Sequence, residues 1–420
     1  MLENFKVNEA EIDKIGKFSE KEKNFRIKNL NFFNENGFPN KKIEDWKFSD
    51  FKQIVSKNFN KLNINVESSK TEEFQFIKEF EHNYLVLING KLNSTNFQFE
   101  EKNKIKVVDF LNDDFNNKKE INSLVNLNHA LSNHGYLLKI EDNYKFKKTL
   151  VIYNIFTKNL NEDILNVRNK IVVGKNSELH TIDFEINKSK NKFIYNSHEN
   201  IHLNENSIYK NIILHNENNN GYFHRFKTNK LKANSNYNSF IFPSGPKFNK
   251  FDLQFDLEGE NCECNLQSAS YIDKDDHQEI KTKINHLFPN CRSFQKVKNV
   301  LNSESKGIFQ GKIYVQDVAQ KTNAYQLSKA ILLSENSEFN SKPELEIYAD
   351  DVKCSHGSTS GSIDENLIFY LMSRGLSRKD SVGLLVNGFL SEIIESIKSE
   401  TLKKFIKERL EGGFYEYKKH

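Results

Sequence analysis

From Leu150 to Asp351 the side chains alternate in character at every second position, with almost no helical signal. His180, Ile182, Phe184 and Ile186 form one such row, and Phe251, Leu253, Phe255 and Leu257 another. A period of two is the signature of extended chain, because successive side chains then face opposite ways. Beneath the alternation a turn returns at a near-constant interval. Asn176, Asn206, Asn234 and Asn261 each open an Asn, small, then apolar motif, at spacings of 30, 28 and 27 residues. Asn336-Ser337-Glu338-Phe339 repeats it further on. Asparagine tolerates the left-handed backbone of a tight turn and bonds its own chain. A turn about every 28 residues, each leading into strand, predicts the stacked coils of a β-solenoid rather than a sandwich.

The flanks differ. Residues 1–60 read as a helical N-terminal region, with Ile12, Ile15 and Phe18 at three-residue spacing, until Gly37 and Pro39 break the pattern. Residues 61–149 read as a mixed α/β lead-in, with a strand at Leu85–Ile88 and a helical piece at Leu124–Leu131. The solenoid core is placed at 150–361 and a C-terminal helical domain at 362–420. There Ser362-x-x-Glu365 and Ser377-x-x-Asp380 have capping-box spacing, and Gly375 suits a helix stop. Val382, Leu385, Val386, Phe389, Leu390, Ile393, Ile394 and Ile397 make a broad apolar stripe that needs a surface to pack on, the solenoid or another subunit.

Charge and cysteine usage exclude several classes. A net charge of +4, with Lys and Arg mixed among Asp and Glu, gives no argument for nucleic acid. Four cysteines without a disulfide framework, no signal-peptide pattern and no apolar run of membrane-spanning length predict a cytoplasmic protein off the membrane. Gly307-Ile-Phe-Gln-Gly311-Lys312-Ile313 mimics a phosphate loop, but it is a residue short and Ile313 replaces the magnesium-binding hydroxyl. The chain is therefore expected to bind no nucleotide.

Candidate chemistry concentrates in Phe309–Ser362, which holds Lys321-Thr322, Asp350-Asp351 and Cys354-x-His356. On a strand, Cys354 and His356 share a face, and a thiolate with an imidazole suits iron or zinc. Two ligands cannot close a four-coordinate site, so others must come from elsewhere in the chain or from a partner. Residue types alone favour the plainer reading, a buried thiol and a hydrogen-bonded imidazole. Asp350 and Asp351, being neighbours, face opposite ways and cannot serve one site as a pair. Cys262, Cys264, His286 and Cys291 read as structural, and Trp46 as a packing anchor.

The ordered set of blocks also resembles a family. Lys342-to-Gly361 (KPELEIYADDVKCSHGSTSG), the upstream AQKTNAYQ and the helical ending are similar to the SufB/SufD family of iron–sulfur cluster assembly scaffolds, on its SufD side. GFPNKKIEDWKFSDF, YLVLING, LNHALSNHGYLLKI and HLFPNCRSFQ continue the likeness through most of the chain. Leu327 stands where the SufB pattern carries a sulfur-handling cysteine, which argues against the SufB-type paralogue. The resemblance implies a right-handed parallel β-helix and a non-catalytic role. It implies pairing with SufB through the β-helix, docking of the SufC ATPase on the C-terminal helices, and a homodimer as an option for the isolated chain. It further implies that His356 and Cys354 help hold a transient iron–sulfur cluster or iron at the SufB–SufD interface, with none bound permanently. Competing expectations are a β-helix enzyme acting on polysaccharide and a stand-alone metal-binding module.

Overall fold

The computed structural model describes residues 5–64, 73–109, 122–215 and 219–414, with no side chains beyond 410. Stretches of the predicted lead-in and the last six residues thus lie outside the described residues. The N-terminal part is built from α1 (Ala10–Ile15), α2 (Glu20–Asn36) and α3 (Phe51–Asn58), followed by β1 (Asn83–Ile88), β2 (Lys91–Asn96), β3 (Ile105–Asp109) and α4 (Ser123–Leu131). Ser19 caps α2 by accepting from the Glu22 amide, and the buried Arg26 guanidinium ties α2 to the Ala130 carbonyl at 2.9 Å.

Beyond α4 the chain winds between two parallel sheets for about eight turns. One sheet carries β5 (Leu150–Phe156), β7 (Glu178–Asn187), β9 (Ile208–His215), β11 (Asn236–Phe242), β13 (Glu263–Ile272), β15 (Arg292–Leu301), β17 (Asn323–Leu332) and β19 (Lys353–Ser362). The other carries β4 (His134–Ile140), β6 (Ile164–Val173), β8 (Phe193–Leu203), β10 (Asn219–Leu231), β12 (Pro246–Leu257), β14 (His277–His286), β16 (Lys306–Val315) and β18 (Glu338–Ile347). At the N-terminal end both sheets finish in antiparallel strands, β2 on β1 and β3 on β4. The fold is mainly β, a solenoid with helices at both ends of the chain, as expected.

The asparagine turns are the corner posts. Asn143, Asn176, Asn206, Asn234 and Asn261 all have positive φ, between 54° and 59°. From Asn176 onward each side-chain amide donates to the asparagine of the preceding coil, at 2.8, 2.9, 3.1 and 3.0 Å in order. Asn336 falls instead in the second row of turns, ahead of β18, where Lys274 and Ser303 take the left-handed conformation. A solenoid with two sheets has two turns per coil, and a shared motif does not say which row it belongs to. Asn206→Ala removes two ladder bonds and leaves at φ 57° a residue without the polar side chain that makes the left-handed conformation tolerable for asparagine. We expect a loss of about 2 kcal/mol, with Asn206→Gly milder because glycine accepts the conformation. Urea unfolding of both variants checks the ordering.

The α1–α4 helices cover the outer face of the even-numbered sheet, where Ile164, Ile194, Tyr222 and Phe248 meet Leu30, Phe33, Trp46 and Phe51. Three further helices, α5 (Glu365–Ser373), α6 (Arg378–Glu395) and α7 (Glu400–Phe414), lie against the outer face of the odd-numbered sheet. The stripe Val382, Val386, Leu390, Ile393 and Ile394 packs there on Ile212, Phe242, Ala269 and Val300. Asp364 caps α5, accepting from the Asn366 amide at 2.9 Å, while Ser362 ends β19. Ser377 caps α6 and Gly375 stops α5 at φ 94°.

The lumen is only partly apolar. In the early coils Asp183 and Glu185 point inward and pair with Lys227 and Arg225 of the opposite sheet, Lys227 also pairing with Glu199 beside it. Burial pushes the Glu185 carboxyl up, but Arg225 and His215 outweigh it and hold it down at about 2. Four imidazoles are buried neutral. His129 Nε2 lies 2.9 Å from His198 Nδ1, His224 Nδ1 faces Asn196 Oδ1, and His286 Nε2 faces Ser293 Oγ. Burial lowers all four, His224 to about 3 and His286 to about 4. Their stabilisation is complete above the ordinary histidine value of 6.5 and erodes as the pH falls, by about 1.4 kcal/mol per unit for each group. Thermal unfolding across pH 7 to 4 should therefore show a steady fall in Tm, and a flat profile would contradict these assignments.

Candidate functional site

β19 and β18 are the terminal strands of their sheets, so at this end each has a pairing partner on one side only among the described residues. Register places each β19 residue above a chain of predecessors. Cys354 stands over Ala324, Ser293 and Cys264, and His356 over Gln326, Gln295 and Leu266. Cys264 and Leu266 belong to the lumen core. Cys354 and His356 therefore project together along the inward-facing rows, at the mouth of the last coil. Cys354 is half-buried against Leu345, Val352 and Ala349, and burial pushes its thiol up. His356 is exposed.

The remaining residues singled out in this stretch do not join them. Asp350 and Asp351 are exposed in the turn between β18 and β19. Asp351 fixes that turn, its amide donating to Gln320 Oε1 at 2.9 Å and its carbonyl accepting from Lys321. Lys321 is the left-handed residue of the preceding turn, at φ 59°, and Thr322 Oγ1 donates to the Ala319 carbonyl. Cys262 and Cys291 follow Asn261 and Asn290, the positions that Ser177, Ser207 and Ser235 hold in earlier coils. Both thiols reach the Gly259 carbonyl at 3.2 Å and are fully buried. Burial pushes the Cys264 thiol up as well. Gly307 to Ile313 lie within β16, with no helix following. Among the described residues, no three His, Cys, Asp or Glu side chains converge on one metal position. Cys354 and His356 are thus two soft donors in want of further ligands.

A second feature had only a partial sequence signal. Ile368 is the one buried side chain of α5, while Leu367, Phe369, Tyr370 and Met372 are exposed, Phe369 by 74%. Leu376, in the turn after α5, and Leu384 on α6 are exposed as well. The α6 stripe was legible as a packing face; the exposed side of α5 was not, since its run of apolar residues has no polar half to mark it. No helix among the described residues is long and apolar enough to cross a membrane.

Residues 156–389 match the family model described as the SUF system FeS cluster assembly, SufBD core domain. This stretch runs from the end of β5 through most of α6 and covers more than half of the chain. The chain belongs to the SufB/SufD family. It is 26% identical to the iron–sulfur cluster assembly protein SufD of Escherichia coli (strain K12) over 388 residues, 90% of each chain. It is 27% identical to SufD of Plasmodium falciparum (isolate 3D7) over 61% of this chain and 18% of that one. A SufBD family protein of Synechocystis sp. is 34% identical over 38% of this chain and 35% of its own. Within the SufB/SufD family the end-to-end likeness is to SufD. At Leu327, outward-facing and half-buried beside Gly357, this family member carries an aliphatic side chain with no sulfur chemistry.

Proposed function

We propose that the chain is a non-catalytic scaffold subunit of iron–sulfur cluster assembly, with Cys354 and His356 contributing to a transient cluster or iron site shared with SufB. The observation that carries this reading is the pair of soft donors side by side on a half-paired strand at the solenoid mouth. A strand with one free edge invites another strand, and main-chain pairing across it brings a partner's ligands to the two already there. The cluster is cargo: His356 serves as a neutral imidazole ligand and Cys354 as a thiolate ligand or sulfur contact. The exposed face of α5 with Leu384 is the docking surface for SufC, whose ATP binding shifts the relative population of closed and open interfaces. Cytoplasmic location and the absence of any nucleotide on this chain belong to the same reading.

Co-expression with SufB and SufC, followed by anaerobic size analysis and iron quantitation, tests it. A stable complex containing all three proteins and able to load iron supports the scaffold role. A chain that ignores both partners overturns it. Phe369→Asp places a charge at the centre of the apolar face, and should weaken SufC binding by about 30-fold or more while leaving SufB pairing unchanged. Calorimetric titration with SufC measures the loss.

A further inference from the structure

The residue after each left-handed corner carries a hydroxyl along most of the solenoid. Ser177, Ser207 and Ser235 hold this place in three successive coils, and Thr322 holds it nearer the mouth. Each hydroxyl donates to a nearby carbonyl, at 2.8, 2.6, 2.6 and 2.8 Å in order. Between them the row carries Cys262 and Cys291, on consecutive coils. A thiol is a weaker donor than a hydroxyl, so bonding within the turn does not account for two sulfurs here. Their placement does. Cys262 and Cys291 immediately precede Glu263 and Arg292, which are register partners on β13 and β15. Neighbouring strands stand about 4.8 Å apart, inside the Cα separation of about 4.4–6.8 Å that a disulfide spans. Both sulfurs also converge on one oxygen, the Gly259 carbonyl, at 3.2 Å each.

We infer that Cys262 and Cys291 are a modification site, a thiol pair that a small hydroperoxide oxidises to a disulfide tying one coil to the next. Cys262 is the attacking sulfur. A hydrogen bond from Cys291 lowers its thiol despite burial, and the same bond together with burial raises Cys291. The first proton to leave is therefore that of Cys262. With hydrogen peroxide, the Cys262 thiolate attacks one oxygen and the O–O bond breaks. The departing oxygen takes up the proton that Cys262 released and leaves as water. The Cys291 sulfur then attacks the sulfenic sulfur, the S–O bond breaks, and the hydroxyl leaves as a second water with the Cys291 proton. The sulfurs lose two electrons and the peroxide oxygens gain them. Losing both thiol protons strands little. The Leu231, Lys232 and Pro289 carbonyls within reach of these sulfurs already accept the Glu258, Ser235 and Asn261 amides. Access runs through the corner: both sulfurs are buried, but Asn261 and Asn290 beside them are exposed, so opening one turn admits a peroxide. Nothing in this chemistry depends on SufB, SufC or the mouth.

The test treats the reduced full chain, without partners, with a small excess of hydrogen peroxide. Remaining thiols are alkylated in denaturant and the linkages mapped by mass spectrometry. Two of the four cysteines should be lost together, joined as Cys262 to Cys291, and dithiothreitol should return both. Cys264, whose thiol burial pushes up, should be lost about tenfold more slowly than Cys262. Cys291→Ser supplies the hydroxyl that this row carries elsewhere. It should form no intrachain linkage and should hold Cys262 at the sulfenic acid, which dimedone traps as a stable adduct. Folded protein that keeps both thiols while urea-unfolded protein oxidises overturns the site. So does a disulfide that joins Cys354 instead, or loss of Cys264 as fast as Cys262. If Cys291→Ser folds poorly, the wild-type linkage map and the rates decide alone.

Discussion

His356→Ala is expected to abolish cluster formation on the assembled complex without dissolving it. The side chain is exposed on the outermost strand, so truncating it removes little packing, and substitutions at such positions usually stay within about 0.5 kcal/mol. The proposed pairing through the free edge of β19 would use main-chain groups, which alanine keeps. The chemistry has no such tolerance. If Cys354 and His356 are the donors proposed here, losing the imidazole leaves one half-buried thiol whose proton is held by burial. Anaerobic reconstitution with size analysis and iron and sulfide determination separates the two effects. Normal iron and sulfide in the intact mutant complex would remove His356 from the site.

The second large effect lies away from the mouth, under the tryptophan block. Lys250 and Glu279 form an ion pair with both side chains fully buried. Glu279 also accepts from Ser49 Oγ and from Gln310 Nε2, the latter at 2.8 Å. Lys250 reaches the Asp45 carbonyl at 3.0 Å and lies 4.7 Å from the centre of the Trp46 ring. Burial pushes the Glu279 carboxyl up, but Lys250 and His277 outweigh it and hold it far below the usual range. Glu279→Leu strands the ammonium in the interior and should cost about 3–5 kcal/mol. The double substitution Lys250→Met with Glu279→Leu should recover most of that, because the desolvation penalty of both charges disappears together. Urea unfolding of the two single variants and the double gives the coupling. A Glu279→Leu protein as stable as the wild type would show that the pair does not clamp the N-terminal block.

These two regions were legible to different degrees. Strand periodicity and the asparagine turns carry the solenoid, because both follow from backbone geometry. Which face turns inward did not follow. In β7 the apolar row Ile182, Phe184 and Ile186 faces the C-terminal helices, and it is Asp183 and Glu185 that enter the lumen. In β12 the apolar row Phe251, Leu253, Phe255 and Leu257 does line the lumen. Both faces of these sheets are covered, so polarity no longer marks the outside. Trp46 reads as an anchor from its type alone, but its lysine support lies 204 positions along the chain. Cys354 and His356 were visible as a spacing; the amides beneath them were not, since Gln295 and Gln326 lie 31 residues apart in ordinary strand patterns.

The two ends of the winding are unlike, and that has a consequence for growth. β2 and β3 run against their neighbours, and β2 shows lysine, asparagine, serine and threonine to solvent. A rod blunted at one tip and open at the other can be extended once. End-to-end addition then yields a closed pair, whether of two copies or of this chain and a relative, and a filament has no second tip from which to continue.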